Sequence, residues 1–364
     1  MYKIVCIIPS LSLGGMEKVM SVLLNKFSKK NIELHLVLCG RNREIKYSIP
    51  KSIIIHRPSF SYSETNRFIF TLKTILYLRK EIKNIKPDSI LSFGEYWNSL
   101  VLLSLLNLKY PIYISDRSQP NKDLGKIQNK LRNFLYPKAT GYIAQTIKAS
   151  EIAAKNKWNS NITVIGNPIK QNSIQDFGNR DNIILTVGRL IPTKHIDELI
   201  DIFRIVNAKD WKLIIVGGNS KNLNLLDKYT KLVQELGLSD SIKLVGAKSN
   251  VEEYYKKAKI FAFTSSSEGF PNVIGEAISY GLPVIAYDCT AGPSDLIINE
   301  KTGFLIEERD QKQYVEKLNM LIQNENLRSM QGKKSLENIV NFDADHIAKK
   351  AFNFITNNNT SKFK

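Results

Sequence analysis

Short runs of Ile, Val and Leu alternate with longer amphipathic segments along the whole chain, and that alternation narrows the architecture more than any other feature. A buried parallel strand reads as a near-continuous apolar run because both of its faces are covered. Amphipathic segments between such runs read as crossover helices. The pattern predicts strands at 3–8, 33–38, 52–56, 89–93, 111–115, 141–144 and 162–165, then a second series at 182–187, 212–216, 242–245, 260–264 and 283–287. The fold class is therefore α/β, with two tandem Rossmann-like domains, as 364 residues also suggest. Residues 166–180 are polar, contain Gly178 and lack periodicity. The expected organisation is an N-terminal domain at 1–170, a linker at 171–181, and a C-terminal domain at 182–342. A final segment at 343–364 holds an amphipathic helix over 343–355, expected to pack back towards the N-terminal domain, and a frayed tail.

The longest apolar stretch, residues 100–108, is broken by Ser104 and Asn107 and falls short of the ~20 residues of a transmembrane helix. The opening apolar run stops at Pro9 and lacks a signal-peptide cleavage pattern, so a cytoplasmic protein is expected. Cys6, Cys39 and Cys289 are far apart, which indicates neither a disulfide framework nor a zinc site. Charge is uneven. Residues 1–180 carry 28 Lys and Arg against 11 Asp and Glu, a balance of +17, whereas the remainder is +1. A basic half of this kind calls for an anionic partner, either nucleic acid or a phospholipid surface.

Three loops have residues suited to chemistry. Gly14-Gly15 lies between the first strand and a helix start, where glycines let backbone amides approach a phosphate; the same pair also makes an ordinary tight turn. After the strand at 182–187, Arg189 and Lys194 leave the carboxyl edge of a parallel sheet, a place for a diphosphate, although lone loop cations are commonly solvated. The third stretch runs from Ser265 to Ala277 and holds Glu268 and Glu276 separated by seven residues. Glu268 stands on the loop and Glu276 about one turn inside the following helix. The plainer reading makes Glu268 a cap and Glu276 a solvated helix face.

Together, Gly14-Gly15, Gly188-Arg189-Leu190 with Lys194, the block from Glu268-Gly269-Phe270-Pro271 to Glu276, and Gly281 with Pro283 resemble the family 4 retaining glycosyltransferases of GT-B fold, over nearly the whole chain. The resemblance implies two Rossmann-like domains facing each other across a cleft that holds a nucleotide diphosphate sugar, UDP-linked in expectation, without a metal or other cofactor. It assigns Arg189, Lys194 and Glu268 to catalysis, the cations on the leaving diphosphate and the carboxylate on the donor sugar. Donor binding would fall to Gly14 and Gly15, to Gly269, Phe270, Pro271, Asn272 and Val273 through their amides, and to Glu276 at the ribose. His195 stands where the family usually shows Gly; it reads as a helix-start residue, and the substitution bears on the reach of Lys194.

The acceptor is expected at loops of the first domain, with Glu95, Asp116 and Arg117 as its contacts, loop capping being the plainer reading. A basic amphipathic segment, residues 122–138, places Leu124, Ile127, Leu131, Phe134 and Leu135 on one side, with Lys122, Lys126, Lys130 and Arg132 as membrane contacts. An ordinary surface helix packing that stripe on the sheet has the same pattern. Asp343-Ala344-Asp345 matches an Asp-x-Asp metal motif in letters, but it opens a helix, where acids complement the dipole. No recognition helix, zinc finger or RNA-binding aromatic motif accompanies the basic charge, so nucleic acid is not an expected partner. The partners expected are a nucleotide sugar, a lipid-linked saccharide in surface polysaccharide assembly, and the anionic inner face of a membrane. The alternatives are a nucleotide-sugar epimerase of the same fold and, behind it, a basic nucleic-acid-binding protein.

Overall fold

The computed structural model describes residues 1–62, 66–172, 180–220 and 223–357, and the chain divides into two units. The first comprises Met1–Pro168 together with the segment from Ala344; the second is Ile169–Asp343. Most of the expected linker at 171–181 lies outside the described residues, as does nearly all of the polar tail.

The first unit is a seven-stranded, wholly parallel sheet. Its strands are β1 (Tyr2–Ile8), β2 (Ile32–Leu38), β3 (Ile54–His56), β4 (Ser89–Phe93), β5 (Ile112–Ser115), β6 (Gly141–Ala144) and β7 (Ile162–Val164), in the order β3-β2-β1-β4-β5-β6-β7. Central β1 is buried along almost its whole length, which is why its sequence does not alternate. Val5 and Ile7 face a core built with Leu78 and Ile82 of helix Arg67–Ile85 and Val101 and Leu102 of helix Glu95–Ser104. Each such side chain contributes about 1.5–3 kcal/mol on burial. Helix Ala344–Thr356 belongs to this unit. Phe352 meets Phe27 of helix Gly15–Phe27 edge-on at 5.5 Å, Lys26 pairs with Asp345 at 2.7 Å, and the Ser89 hydroxyl donates to the Ile355 carbonyl at 2.7 Å.

The second unit has six parallel strands: β8 (Ile183–Val187), β9 (Lys212–Val216), β10 (Ile242–Gly246), β11 (Ile260–Phe263), β12 (Val284–Tyr287) and β13 (Gly303–Ile306), ordered β10-β9-β8-β11-β12-β13. Strand β13 is absent from the expected series. It is four residues long, opens on glycine and pairs with β12 at the sheet edge, too brief a run to stand out in the sequence.

In both sheets the strand order reverses once, between β1 and β4 and between β8 and β11. Ligands of open α/β sheets bind outside the carboxyl ends of the strands at such a reversal. The loops that leave those four strands are the ones carrying Gly14-Gly15, Glu95, Lys194 and Glu268.

Candidate active site

In the second unit the loop after β8 is tied to its neighbours before any ligand arrives. The Gly188 amide donates to the Val216 carbonyl and the Leu190 amide to Gly218, both at 2.9 Å. Gly217 lies so close beneath that an added Cβ would stand 1.8 Å from the Gly188 carbonyl oxygen. The chain then makes a 3-10 turn, Pro192–Lys194, and enters helix Ile196–Val206 through His195. Residues following β11 hold this turn. The Ser266 amide donates to the Thr193 carbonyl at 2.9 Å and the Thr264 hydroxyl to the Lys194 carbonyl at 2.9 Å.

Lys194 and Glu268, read separately in the sequence, form a pair: Nζ is 2.5 Å from Oε1, with both side chains about one-sixth exposed. Lys194 also lies over the Phe263 ring at 4.9 Å. Arg189, by contrast, is exposed and has no hydrogen bond or ion pair among the described residues. The pair is neutral as a unit, so the uncompensated cation of this edge is Arg189. His195 adopts a left-handed conformation, φ 47° and ψ 49°, and its Nε2 lies 2.8 Å from the Ser266 hydroxyl. It therefore keeps the backbone that glycine takes most easily, and Lys194 still reaches Glu268.

Helix Asn272–Ser279 follows, with Pro271 before it and no side chain capping its first amides. Gly269, Asn272 and Val273 are half-buried. Phe270 is a core residue, tilted against Phe342 at 5.8 Å, so its ring is not a ligand surface and only its backbone is placed to contribute. Glu276 is half-buried and accepts a hydrogen bond at Oε2 from the Tyr255 hydroxyl at 3.2 Å. Tyr255 is buried and stacked parallel on Tyr280, 5.4 Å between centroids, and burial raises its phenol well above its ordinary pKa, so it stays a donor. The sequence reading missed both Gly217 and Tyr255.

In the first unit, Gly15 opens helix Gly15–Phe27 and Tyr47 donates from its hydroxyl to the Gly14 carbonyl at 3.1 Å. The Glu17 carboxylate lies over Gly14, where an added Cβ would meet its Oε2 at 2.3 Å, and burial raises its pKa. A phosphate approaching this helix end meets a carboxylate already there. Glu95 accepts from the Ser118 hydroxyl at 2.6 Å and pairs with Lys122 at 3.4 Å. Asp116 does not project into the loop as expected. It is buried, accepting from the Tyr136 hydroxyl at 2.6 Å and the Asn98 amide at 2.9 Å, and burial pushes its carboxyl up to about 6.

Arg117 is half-buried, stacked 3.9 Å over the Phe93 ring, with Nη1 donating to Asn167 at 3.0 Å. Its Nε is buried without a partner among the described residues, and burial lowers its pKa to about 9.

The basic helix spans Lys126–Leu135, shorter than the segment read as amphipathic. Lys122, Lys126 and Lys130 are exposed, but Arg132 is buried, stacked 4.0 Å over Trp158, and offers no charge to a surface. The apolar stripe is also divided: Leu124 and Leu135 are buried, while Ile127 and Phe134 face solvent. Asp345 is held by Lys26, and no helix among the described residues is long and apolar enough to cross a membrane.

Two parallel-sheet units with this loop chemistry at their reversals define a glycosyltransferase of GT-B fold. The chain belongs to glycosyltransferase family 4: the family described as Glycosyltransferase Family 4 matches residues 13–172, and Glycosyl transferases group 1 matches 169–337. Among curated relatives, the amylovoran biosynthesis glycosyltransferase AmsD of Erwinia amylovora is 29% identical over 96% of this chain and 98% of its own. The N-acetylgalactosamine-N,N'-diacetylbacillosaminyl-diphospho-undecaprenol 4-alpha-N-acetylgalactosaminyltransferase of Campylobacter jejuni is 28% identical over 98% and 100%. Among solved structures, Anabaena HepE in complex with UDP superposes with a TM-score of 0.82 at 16% identity, covering 98% of this chain and 100% of that one.

Proposed function

We propose that the chain is a retaining glycosyltransferase that moves a hexose or N-acetylhexosamine from a UDP-sugar to a lipid-linked saccharide during surface polysaccharide or glycan assembly. The observation that carries this reading is the Lys194–Glu268 pair beside the exposed Arg189 at the β8/β11 reversal. As the bond from the sugar to the diphosphate breaks, negative charge builds on the leaving oxygen. Arg189 supplies the uncompensated cation, and Lys194, oriented by its pair with Glu268, a fixed ammonium donor, the kind of preorganised group that lowers a barrier most. Glu268 uses Oε1 to hold Lys194, which leaves Oε2 for a hydroxyl of the donor sugar. Amides at Gly269 to Val273 receive phosphate or sugar oxygens, and Glu276 the ribose. Basic side chains and amides do the neutralising, and turnover is expected to survive EDTA.

Support for the acceptor comes from the name of the Campylobacter jejuni relative, which specifies a diphospho-undecaprenol saccharide. In the first unit Arg117, a guanidinium with no carboxylate bonded to it among the described residues, suits a phosphate of such an acceptor, with Glu95 on the neighbouring loop and Asp116 buried behind it. The cytoplasmic face of an anionic membrane is the setting in which that acceptor is met, with Lys122, Lys126 and Lys130 towards it.

The test is UDP release from a panel of UDP-sugars in the presence of a lipid-linked acceptor. Arg189→Ala and Lys194→Ala should each lower turnover by about 10²-fold or more, the scale of a lost electrostatic stabiliser. Wild-type turnover in both variants would remove the assignment.

A further inference from the structure

Crossover handedness fixes which face of the first sheet each helix covers. From β3 the chain proceeds to β4, β5, β6 and β7 in one direction across the sheet, so right-handed crossovers place the helices Arg67–Ile85, Glu95–Ser104, Lys126–Leu135 and Ile147–Lys155 on a single face. Helix Gly15–Phe27, whose crossover runs the other way, lies on the opposite face, where Ala344–Thr356 packs on it. Each of the four helices also starts at the carboxyl edge of the sheet, because it runs back antiparallel to the strand before it.

All four open with a large apolar side chain left in solvent: Phe68 (77% exposed), Tyr96 (42%), Ile127 (77%) and Ile147 (59%). One exposed apolar residue is ordinary. Four at the starts of four helices, on one face and one edge, form a rim. Exposed cations without an acid partner among the described residues stand among them, Arg67, Lys73, Lys126 and Lys130, while Glu95, the one acid in these first turns, is engaged by Ser118 and Lys122. In the second unit no aromatic residue is among the exposed large apolar side chains of the described residues.

We propose that this rim is a membrane-docking surface: Phe68, Ile127 and Ile147 enter the interface of an anionic phospholipid bilayer, and the neighbouring cations meet its phosphates. Charge chooses the occupant. An apolar rim alone suits any protein partner, but one interspersed with uncompensated lysines matches a layer that is apolar within and anionic at its surface. The loops bearing Glu95 and Arg117 leave the same sheet edge, so a lipid-anchored ligand reaches them from the bilayer. The inference deepens the lipid-linked acceptor reading, and its test involves no sugar.

The experiment is flotation of the full chain with vesicles of phosphatidylcholine, with and without phosphatidylglycerol. Wild-type protein should float with the anionic vesicles and be released by salt. The triple variant F68S/I127S/I147S, which keeps every lysine, should partition at least about tenfold less, whereas attraction by charge alone leaves it floating as wild type and overturns the proposal. Ile127→Trp gives a readout that does not depend on removing side chains. Its added fluorescence should be quenched by brominated phospholipid in anionic vesicles, and that of Val340→Trp in the second unit should not. Equal quenching of the two, or a wild-type chain that ignores phosphatidylglycerol vesicles, also overturns it.

Discussion

His195 holds a left-handed backbone without being glycine, which makes the turn that presents Lys194 measurable. An L-residue in that region costs roughly 1–2 kcal/mol relative to the right-handed one. The bond to the Ser266 hydroxyl at 2.8 Å returns about 1 kcal/mol. His195→Gly removes both contributions and should leave stability within about 1 kcal/mol of wild type. His195→Ala keeps the strain and loses the bond, so it should destabilise by about 1 kcal/mol, seen as a fall in Tm of about 2–4 °C for a unit of this size. Turnover should follow the backbone rather than the imidazole. The glycine variant should retain activity within a few-fold, because the Thr264 and Ser266 bonds that hold the turn remain. Differential scanning calorimetry and UDP release on the two variants decide the matter. A glycine variant that is less stable and less active than the alanine variant would refute this account, since the side chain and not the backbone would then be setting Lys194.

Gly217→Ala should disrupt the second unit by several kcal/mol, because its Cβ would stand 1.8 Å from a backbone oxygen that cannot yield; a circular-dichroism melt checks this, and a wild-type Tm contradicts it. Glu276→Gln and Tyr255→Phe should both raise the KM for the UDP-sugar, the second by less, since Tyr255 acts through its bonds to Glu276 and the Val273 carbonyl rather than on the donor itself. An unchanged KM in Glu276→Gln returns that residue to a solvated helix face. Asp116 gives a pH signature. Its folded pKa of about 6 lies above the ordinary carboxyl value, so the folded state binds the proton more tightly and the stabilisation present at low pH is lost as pH rises through 6. Urea unfolding of Asp116→Asn against wild type should therefore shift in favour of the variant by about 2–3 kcal/mol between pH 4 and pH 7. A difference independent of pH refutes it.

What the sequence disclosed were the features that are local. Buried parallel strands announce themselves as apolar runs, and the loop after a strand names its own polar residues, so Arg189, Lys194, Glu268 and Glu276 were all legible. Their relations were not. That Lys194 pairs with Glu268 depends on β8 and β11 being neighbours, and strand order is written nowhere in the chain. Gly217 is required by a carbonyl 29 residues earlier, and Tyr255 reads as one more buried aromatic until Glu276 is seen beside it. Arg132 was misplaced because periodicity assigns a residue to one side of a helix without saying which side meets Trp158.

Helix Ala344–Thr356 imposes an order of events on synthesis. It completes a unit whose other residues end at Pro168, and all of Ile169–Asp343 must be made in between. At about 5–20 residues per second that interval lasts on the order of 10–40 s. Throughout it the Phe27 ring lacks Phe352 and the Ser89 hydroxyl lacks the Ile355 carbonyl, so the first unit waits on the ribosome with apolar surface uncovered. The interval during which this chain most needs a chaperone is thus set by the length of the second unit, and the closing event of folding belongs to the first.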